Sequence, residues 1–220
     1  LYSGRARLAR PVLFRRALKI VNGALTGGVS SLPASGFTVA AENPVYVQGD
    51  YNANGAVVPD ATWSNEEPNV ASAIIADSIT LLSNSWTDAL TMRLPNDQAN
   101  RPATADTAYR FAMITGKSVP FPMPGWAGVE MGADGGVHNF MKMLENWGGR
   151  NLRYRGSMVS LYYSRQAIGI YRADANVYSP PTRGYNFDTD FLTPALLPPG
   201  TPMFRDINTL KFRQILRPNQ

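Results

Sequence analysis

Cysteine is absent from the 220 residues. That excludes disulfides, thiolate metal sites and a cysteine nucleophile. The single histidine, His138, excludes multi-histidine metal sites and removes most routes to histidine-dependent catalysis. Lysine is scarce: Lys19, Lys117, Lys142 and Lys211 stand against 17 arginines. No acidic residue precedes Glu42, although Arg5, Arg7, Arg10, Arg15, Arg16 and Lys19 all fall in that stretch. No run reaches the roughly 18 apolar residues that cross a bilayer, so no transmembrane segment is expected in this chain. No signal-peptide core follows the basic residues, and Leu1 is not an initiator Met. A mature or processed piece of a longer protein is the expectation.

What is present favours a folded β protein. Hydrophobic residues make up 44% and charged residues 17%, enough apolar surface for a core and too little charge for a typical disordered chain. Gly 19 and Pro 17 imply many turns and argue against a helical bundle. The net charge of +5 is carried largely by arginine, whose planar fork suits fixed contacts to carboxylates, carbonyls and aromatic faces as well as nucleic acid. The N-terminal basic stretch is therefore read as a solvated arm or protein-docking segment ahead of a polyanion site.

Residues 11–22, PVLFRRALKIVN, carry apolar residues at 13, 14, 17, 18, 20 and 21 with Pro11 before and Asn22-Gly23 after. This spacing predicts a short amphipathic helix. From Phe37 the period changes to two. FTVAAENPVYVQGDYN reads as strand, Asn43-Pro44 corner, strand. Three further blocks repeat that form: Ala71–Ser83 broken at Asp77-Ser78, Thr107–Gly116, and Asn151–Ala167 with a corner at Gly156. Short strands joined by corners predict a mainly β fold, a β-solenoid or β-helix-like body with one or two short flanking helices. A β-sandwich is the alternative. Val137, Phe140, Met141, Leu144 and Trp147 have helical spacing, so an inserted helix is expected over 136–147. The expected organisation is a basic arm over 1–36, a β body over 37–175, and a Pro- and aromatic-rich strap over 176–220 held against that body.

FRRALKIVNG, FTVAAENPVYVQGDYN, ASAIIADSITLLSNSWTDA, GGVHNFMKMLENW, YRGSMVSLYYSRQA, YSPPTRGYNFDTDF and LPPGTP occur in that order between Phe14 and Pro202. Together they resemble the C-terminal region of large exported bacterial proteins linked to type IV pilus assembly, the PilX-like proteins. The resemblance implies export, a cell-surface or extracellular setting, and assembly with other protein subunits. It implies a β-rich, solenoid-like body and no reaction. Pilin-like proteins carry a long apolar N-terminal helix that this sequence does not show, so either that part has been removed from this piece or the piece joins an assembly through its surface.

Candidate chemistry is sparse. Asp50-Tyr51-Asn52-Ala53-Asn54-Gly55 matches the opening of a calcium loop, with Asp50, Asn52 and Asn54 as oxygen ligands and Asp60 to complete the shell. Position 12 of such a loop is Ala61 instead of Glu, so an Asn-Gly hairpin is the stronger reading. Asp188 with Asp190, and Glu66 with Glu67, are carboxylate pairs by adjacency, the minimum for glycoside hydrolysis; solvated or capping acids are the favoured reading. His138 has no nucleophile motif nearby and is expected to be structural. The Gly-rich strings lack the Lys-Ser or Lys-Thr of a phosphate loop. Tyr162, Tyr163, Tyr171, Tyr178, Tyr185 and Phe187 are interleaved with Arg153, Arg155, Arg165, Arg172 and Arg183. An aromatic ladder inside the body, with arginines bonding the strap, is favoured over a stacking surface for sugar or nucleic acid.

The sequence thus predicts a non-enzymatic structural subunit, without catalytic residues and without a cofactor unless calcium binds. It would act through protein-protein contacts, self-association or pilus components, at Arg15, Arg16, Lys19, Tyr162, Tyr163 and Tyr185. Nucleic acid is not favoured. A carbohydrate-binding or carbohydrate-active β-solenoid is the alternative.

Overall fold

The computed structural model describes residues 16–27, 29–54, 69–93, 97–117, 121–122, 131–132, 136–167 and 178–203. Their regular structure is mainly β. In chain order the strands are β1 (Leu18–Ile20), β2 (Leu25–Thr26), β3 (Val29–Ser30), β4 (Phe37–Ala40) and β5 (Val45–Gln48). There follow β6 (Ser72–Ala76), β7 (Ile79–Leu82), β8 (Thr107–Arg110), β9 (Ala112–Thr115) and β10 (Phe121–Pro122). The last are β11 (Met131–Gly132), β12 (Asn151–Gly156), β13 (Met158–Val159) and β14 (Thr182–Phe187). One short α-helix, α1 (Asp88–Arg93), and four 3-10 turns complete the described elements.

Three sheets dominate, and every strand pair in them is parallel. Sheet I has the order β13-β9-β6-β4, sheet II β1-β5-β7, and sheet III β14-β12-β8. The chain visits them in a fixed rotation. It runs β4, β5 and Tyr51, which bridges to Tyr109 of sheet III, then β6, β7 and β8. The next passage is β9, Lys142, which bridges to Thr80 of sheet II, and β12. Antiparallel pairing among the described residues is confined to the two-residue strands β2-β3 and β10-β11.

The strand sequences explain this arrangement. Val45 and Val47 point inward from β5 while Tyr46 and Gln48 are half-buried, the period-2 signature of a strand with one core face. Register keeps like on like: Ile20, Val47 and Leu81 stack in sheet II, and Val39, Ile74 and Met113 in sheet I. Polar breaks at Asn43-Pro44 and Asp77-Ser78 separate paired strands, because Pro cannot donate to the ladder and Asp and Ser favour local bonds. Phe111 and Ser157 occupy a different break, where the chain passes from sheet III to sheet I between β8 and β9 and between β12 and β13.

One column of rings runs along sheet III and takes in Phe111 at its break. Tyr51, Phe111, Tyr154 and Tyr185 follow one another edge to face, with centroids 5.4, 5.8 and 6.1 Å apart and interplanar angles of 81, 90 and 84°. Such contacts add about 0.5–1.5 kcal/mol each beyond area burial. The hydroxyls are used too. Tyr154 donates to the carbonyls of Phe111 at 2.8 Å and Ser157 at 2.9 Å, and Tyr109 donates to Leu82 at 2.7 Å. Tyr51, Tyr109, Phe111 and Tyr154 belong to one buried cluster that also holds Ile74, Ile79, Leu81, Met113, Met141 and Trp147, and Tyr185 packs against it half-buried.

Two expected helices are replaced by extended chain. Leu18–Ile20, inside the helix expected over 11–22, is β1, parallel to β5; residues 11–15 lie outside the described residues. The apolar residues there serve either period, and the hydrogen-bonding edge of β5 selects the strand. Over 136–147, a 3-10 turn at Gly136–Asn139 is followed by extended residues. Lys142 N donates to Ile79 O at 2.8 Å, and Lys142 O accepts from Leu81 N at 2.9 Å. Met141, Met143, Glu145 and Trp147 are buried at period two, and that pattern prevails over the helical one because sheet II supplies a partner edge. The helix that does form, α1, was not expected. β1 and β14 also join sheets II and III, so the boundaries expected at 36/37 and 175/176 do not separate the sheets.

Gly156 marks how tightly the strands approach. A β-carbon there would come within 2.0 Å of the Phe111 carbonyl oxygen and 2.7 Å of the Tyr154 hydroxyl. Gly156→Ala is expected to lower stability by about 1–3 kcal/mol through overpacking, read as an earlier urea midpoint at unchanged slope.

Candidate functional site

Parallel register sets Arg110 of β8 directly beside Arg155 of β12 on the outward face of sheet III. Two neighbouring guanidiniums repel unless an anion sits between them. The chain supplies it at the end of β14. The Asp188 amide donates to Gly156 O at 3.1 Å, which turns the segment across the sheet. Arg110 Nε and Nη2 then donate to the Asp188 carboxylate at 2.7 and 2.9 Å, and Arg155 Nε lies 3.4 Å from it. Arg110 Nη2 also reaches Asp190 Oδ2 at 2.7 Å, and Arg155 Nη2 donates to Thr189 Oγ1 at 3.1 Å. Asp188 is 2% exposed and accepts from the Asp190 amide at the start of the 3-10 turn Thr189–Leu192.

This clamp starts a strap that crosses the sheets. Beyond the two 3-10 turns, Pro199 O accepts from Thr38 Oγ1 at 2.6 Å on edge strand β4. Gly36, at φ +91°, makes room for the Pro199 ring: a β-carbon there would lie 2.7 Å from it. Residues 188–199 therefore tie the last strand of sheet III to the first strand of sheet I.

A second cluster lies beside sheet II. A cavity of about 140 Å³ is lined by Ser85, Trp86, Thr87, Leu90, Arg101 and Glu145, among others. Glu145 is buried, and its carboxylate accepts from Ser83 N at 2.7 Å and Ser83 Oγ at 2.6 Å. Burial holds this carboxyl above its ordinary value of 4.5, against the Ser83 bonds and the charge of Arg101. Burial likewise lowers the Arg101 guanidinium, with Asp97 and Glu145 opposing. Arg101 Nε donates to Leu144 O at 3.0 Å, and Ser85 Oγ accepts from Thr104 N at 2.9 Å. These bonds bind the loop after β7 to the extended segment around Glu145. Glu145 is the one carboxylate among the described lining residues.

The residues singled out in the sequence fall in different places. Asp50 Oδ1 accepts from Ala108 N at 2.8 Å. Asn52, at φ 50°, is 1% exposed. Its amide donates to Val70 O and Arg110 O at 2.7 and 3.0 Å and accepts from Val70 N at 3.1 Å. That side chain is a main-chain bracket, so the structure brings Asp50 and Asn52 to different partners. Asn54 is described, Asp60 lies outside the described residues, and no group of three His, Asp or Glu among the described residues is placed to hold a metal. Arg15, Glu66, Glu67, Tyr171 and Arg172 also lie outside the described residues.

Arg16 is exposed, and Lys19 Nζ pairs with Asp88 at 2.8 Å. Tyr162 donates to Ala76 O at 2.6 Å, Tyr163 is exposed, and Tyr185 closes the aromatic column with its hydroxyl pushed up to about 12 by burial. The late aromatics thus split between core and surface. His138, expected to be a structural histidine, is exposed on its 3-10 turn. Asp188 and Asp190 neutralise arginine, and Asp188 caps a turn. Arg110, Ser83 and Glu145 were not singled out. Tyr-Arg near a strand end occurs at Tyr109-Arg110, before the break at Phe111, and at Tyr154-Arg155-Gly156, before the break at Ser157, a signal for two stacked arginines. Comparison with family models, curated proteins and solved structures finds no match.

Asp188→Asn is expected to cost about 3–5 kcal/mol, because two buried guanidiniums lose their shared counter-charge. Lys19→Gln, at an exposed pair, is expected to cost less than about 1 kcal/mol. Denaturant unfolding of both variants checks the contrast.

Glu145 gives a pH prediction with a definite sign. Its folded-state pKa is raised, so the folded protein holds the proton more tightly than the unfolded chain. Stability should therefore fall as pH rises from about 4.5 through the folded-state value. Glu145→Gln should remove that component, so the unfolding free energy of wild type minus variant should decline across this window.

Proposed function

We propose that the chain is a three-faced parallel β-solenoid serving as a non-enzymatic structural subunit, exported and associated with a pilus or the cell surface. The observation that carries this reading is the fixed rotation through three parallel sheets around one core. Parallel pairing favours a solenoid over a sandwich, whose strands are antiparallel. The surface and pilus setting rests on the resemblance of the ordered strings from Phe14 to Pro202.

Assembly follows from the sheet edges. Among the described residues, β1 and β4 pair on one side each. Backbone groups on an edge strand are a template for another chain. Exposed apolar side chains accompany them: Leu18, Val21 and Val29 toward β1 to β3, and Leu161 and Phe187 after β13 and at the end of β14. The clamp and strap tie sheet III to sheet I, which suits a building block.

Purified full-length chain is expected to form concentration-dependent multimers without added ligand, seen by light scattering and negative-stain microscopy. Leu18→Lys, which places a charge on edge strand β1, is expected to weaken them at least about tenfold. A wild-type protein that stays monomeric at every concentration would sink this reading.

A further inference from the structure

The outward face of sheet III carries three buried arginines, and two of them are neutralised. Arg110 and Arg155 share Asp188, and Arg110 also takes Asp190. Arg153 lies on the same face of β12, two residues before Arg155. It is 9% exposed, and among the described residues no acceptor reaches its guanidinium; its Nε is buried without a partner. Its register neighbours are Ala108 on β8 and Gly184 on β14, so neither adjoining strand places a polar side chain beside it. Arginine keeps its proton in proteins, so this charge is not relieved by deprotonation. Its Nη nitrogens are not among the buried unpartnered atoms, so the guanidinium, without a counter-charge from the described residues, keeps a solvent-facing Nη edge at which an anion gains charge-assisted hydrogen bonds.

We infer that Arg153 is the receptor for the carboxylate of a small anionic ligand, held between Ala108 and Gly184. This face already pairs arginine with carboxylate at Arg110 and Asp188; at Arg153 the ligand takes the Nη edge, since Nε is buried. The ligand completes the charge pattern of three guanidiniums by adding the missing anion. This inference is independent of the proposed assembly role.

The test uses the full-length chain, with sodium acetate as probe, sodium chloride as ionic-strength control and inorganic phosphate as competing oxyanion. Arginine Nε–H resonances are followed by ¹H–¹⁵N NMR, Arg153 being identified by its contacts to the Ala108 methyl group. The expected result is a saturable shift of the Arg153 resonance with acetate at constant ionic strength, with the Arg110 and Arg155 resonances unmoved. In thermal denaturation, acetate should raise the midpoint of wild type and leave that of Arg153→Gln unchanged. The inference is overturned if chloride reproduces the shift, if all arginine resonances drift together without saturation, or if phosphate saturates the site and acetate does not. Because the NMR measurement uses wild type, it stands even if the variant fails to fold.

Discussion

Parallel in-register stacking is the constraint from which the other features follow. When each strand lies on the next without inversion, every side chain sits beside its counterpart one passage earlier. For apolar residues this is favourable: Ile20 on Val47 on Leu81, or Val39 on Ile74 on Met113, makes continuous apolar columns, half-buried at the edge strand and buried beyond it. For rings it sets Tyr51, Tyr109, Tyr154 and Tyr185 in one register row, with Phe111 from the adjoining break edge to face between Tyr51 and Tyr154. For charged residues it is unfavourable, since Arg110 is brought against Arg155. The Asp188 carboxylate resolves that conflict and in doing so fixes where the C-terminal segment must go.

The same constraint concentrates polar work at the corners. Where a strand ends, main-chain groups lose their ladder partners and need others. Asn52 satisfies Val70 N, Val70 O and Arg110 O from one buried amide. The Asp77 carboxylate accepts from Gln166 N and Ala167 N at 3.0 Å, and its carbonyl accepts from Ser164 Oγ at 2.8 Å. Glu145 does the same for Ser83 N. Each bracket joins segments distant in sequence, so these side chains hold the passages together where backbone pairing stops. Their partners are main-chain groups and neighbouring hydroxyls, which gives them a structural role.

Much of the β architecture could be read from the residues. Period-2 runs around Asn43-Pro44 and Asp77-Ser78 located β4, β5, β6 and β7 because branched and aromatic residues prefer a pleated, half-buried surface. The blocks at Thr107–Gly116 and Asn151–Ala167 likewise located β8, β9, β12 and β13. The failures share one cause. Over Leu18–Ile20 and Met141–Trp147 the apolar residues satisfy a helical and an extended period alike, and only an adjacent open edge decides between them. The clamp was half legible. Asp188 and Asp190 drew notice as acids, yet their meaning depends on Arg110 and Arg155, which lie 78 and 33 positions away from Asp188 in sequence and meet it only after sheet III forms.

Residue pattern alone sets the local alphabet: short strands, polar or proline breaks between them, an arginine excess, and no cysteine framework. These are properties of a residue and its near neighbours, and backbone sterics and hydrophobic alternation act at that range. Tertiary structure decided which strands are adjacent, which arginines are neutralised and which is left for an external anion, and whether an ambiguous run becomes helix or strand. Each of those outcomes depends on a hydrogen-bonding edge or a counter-charge delivered from a distant segment, and no local pattern encodes that delivery.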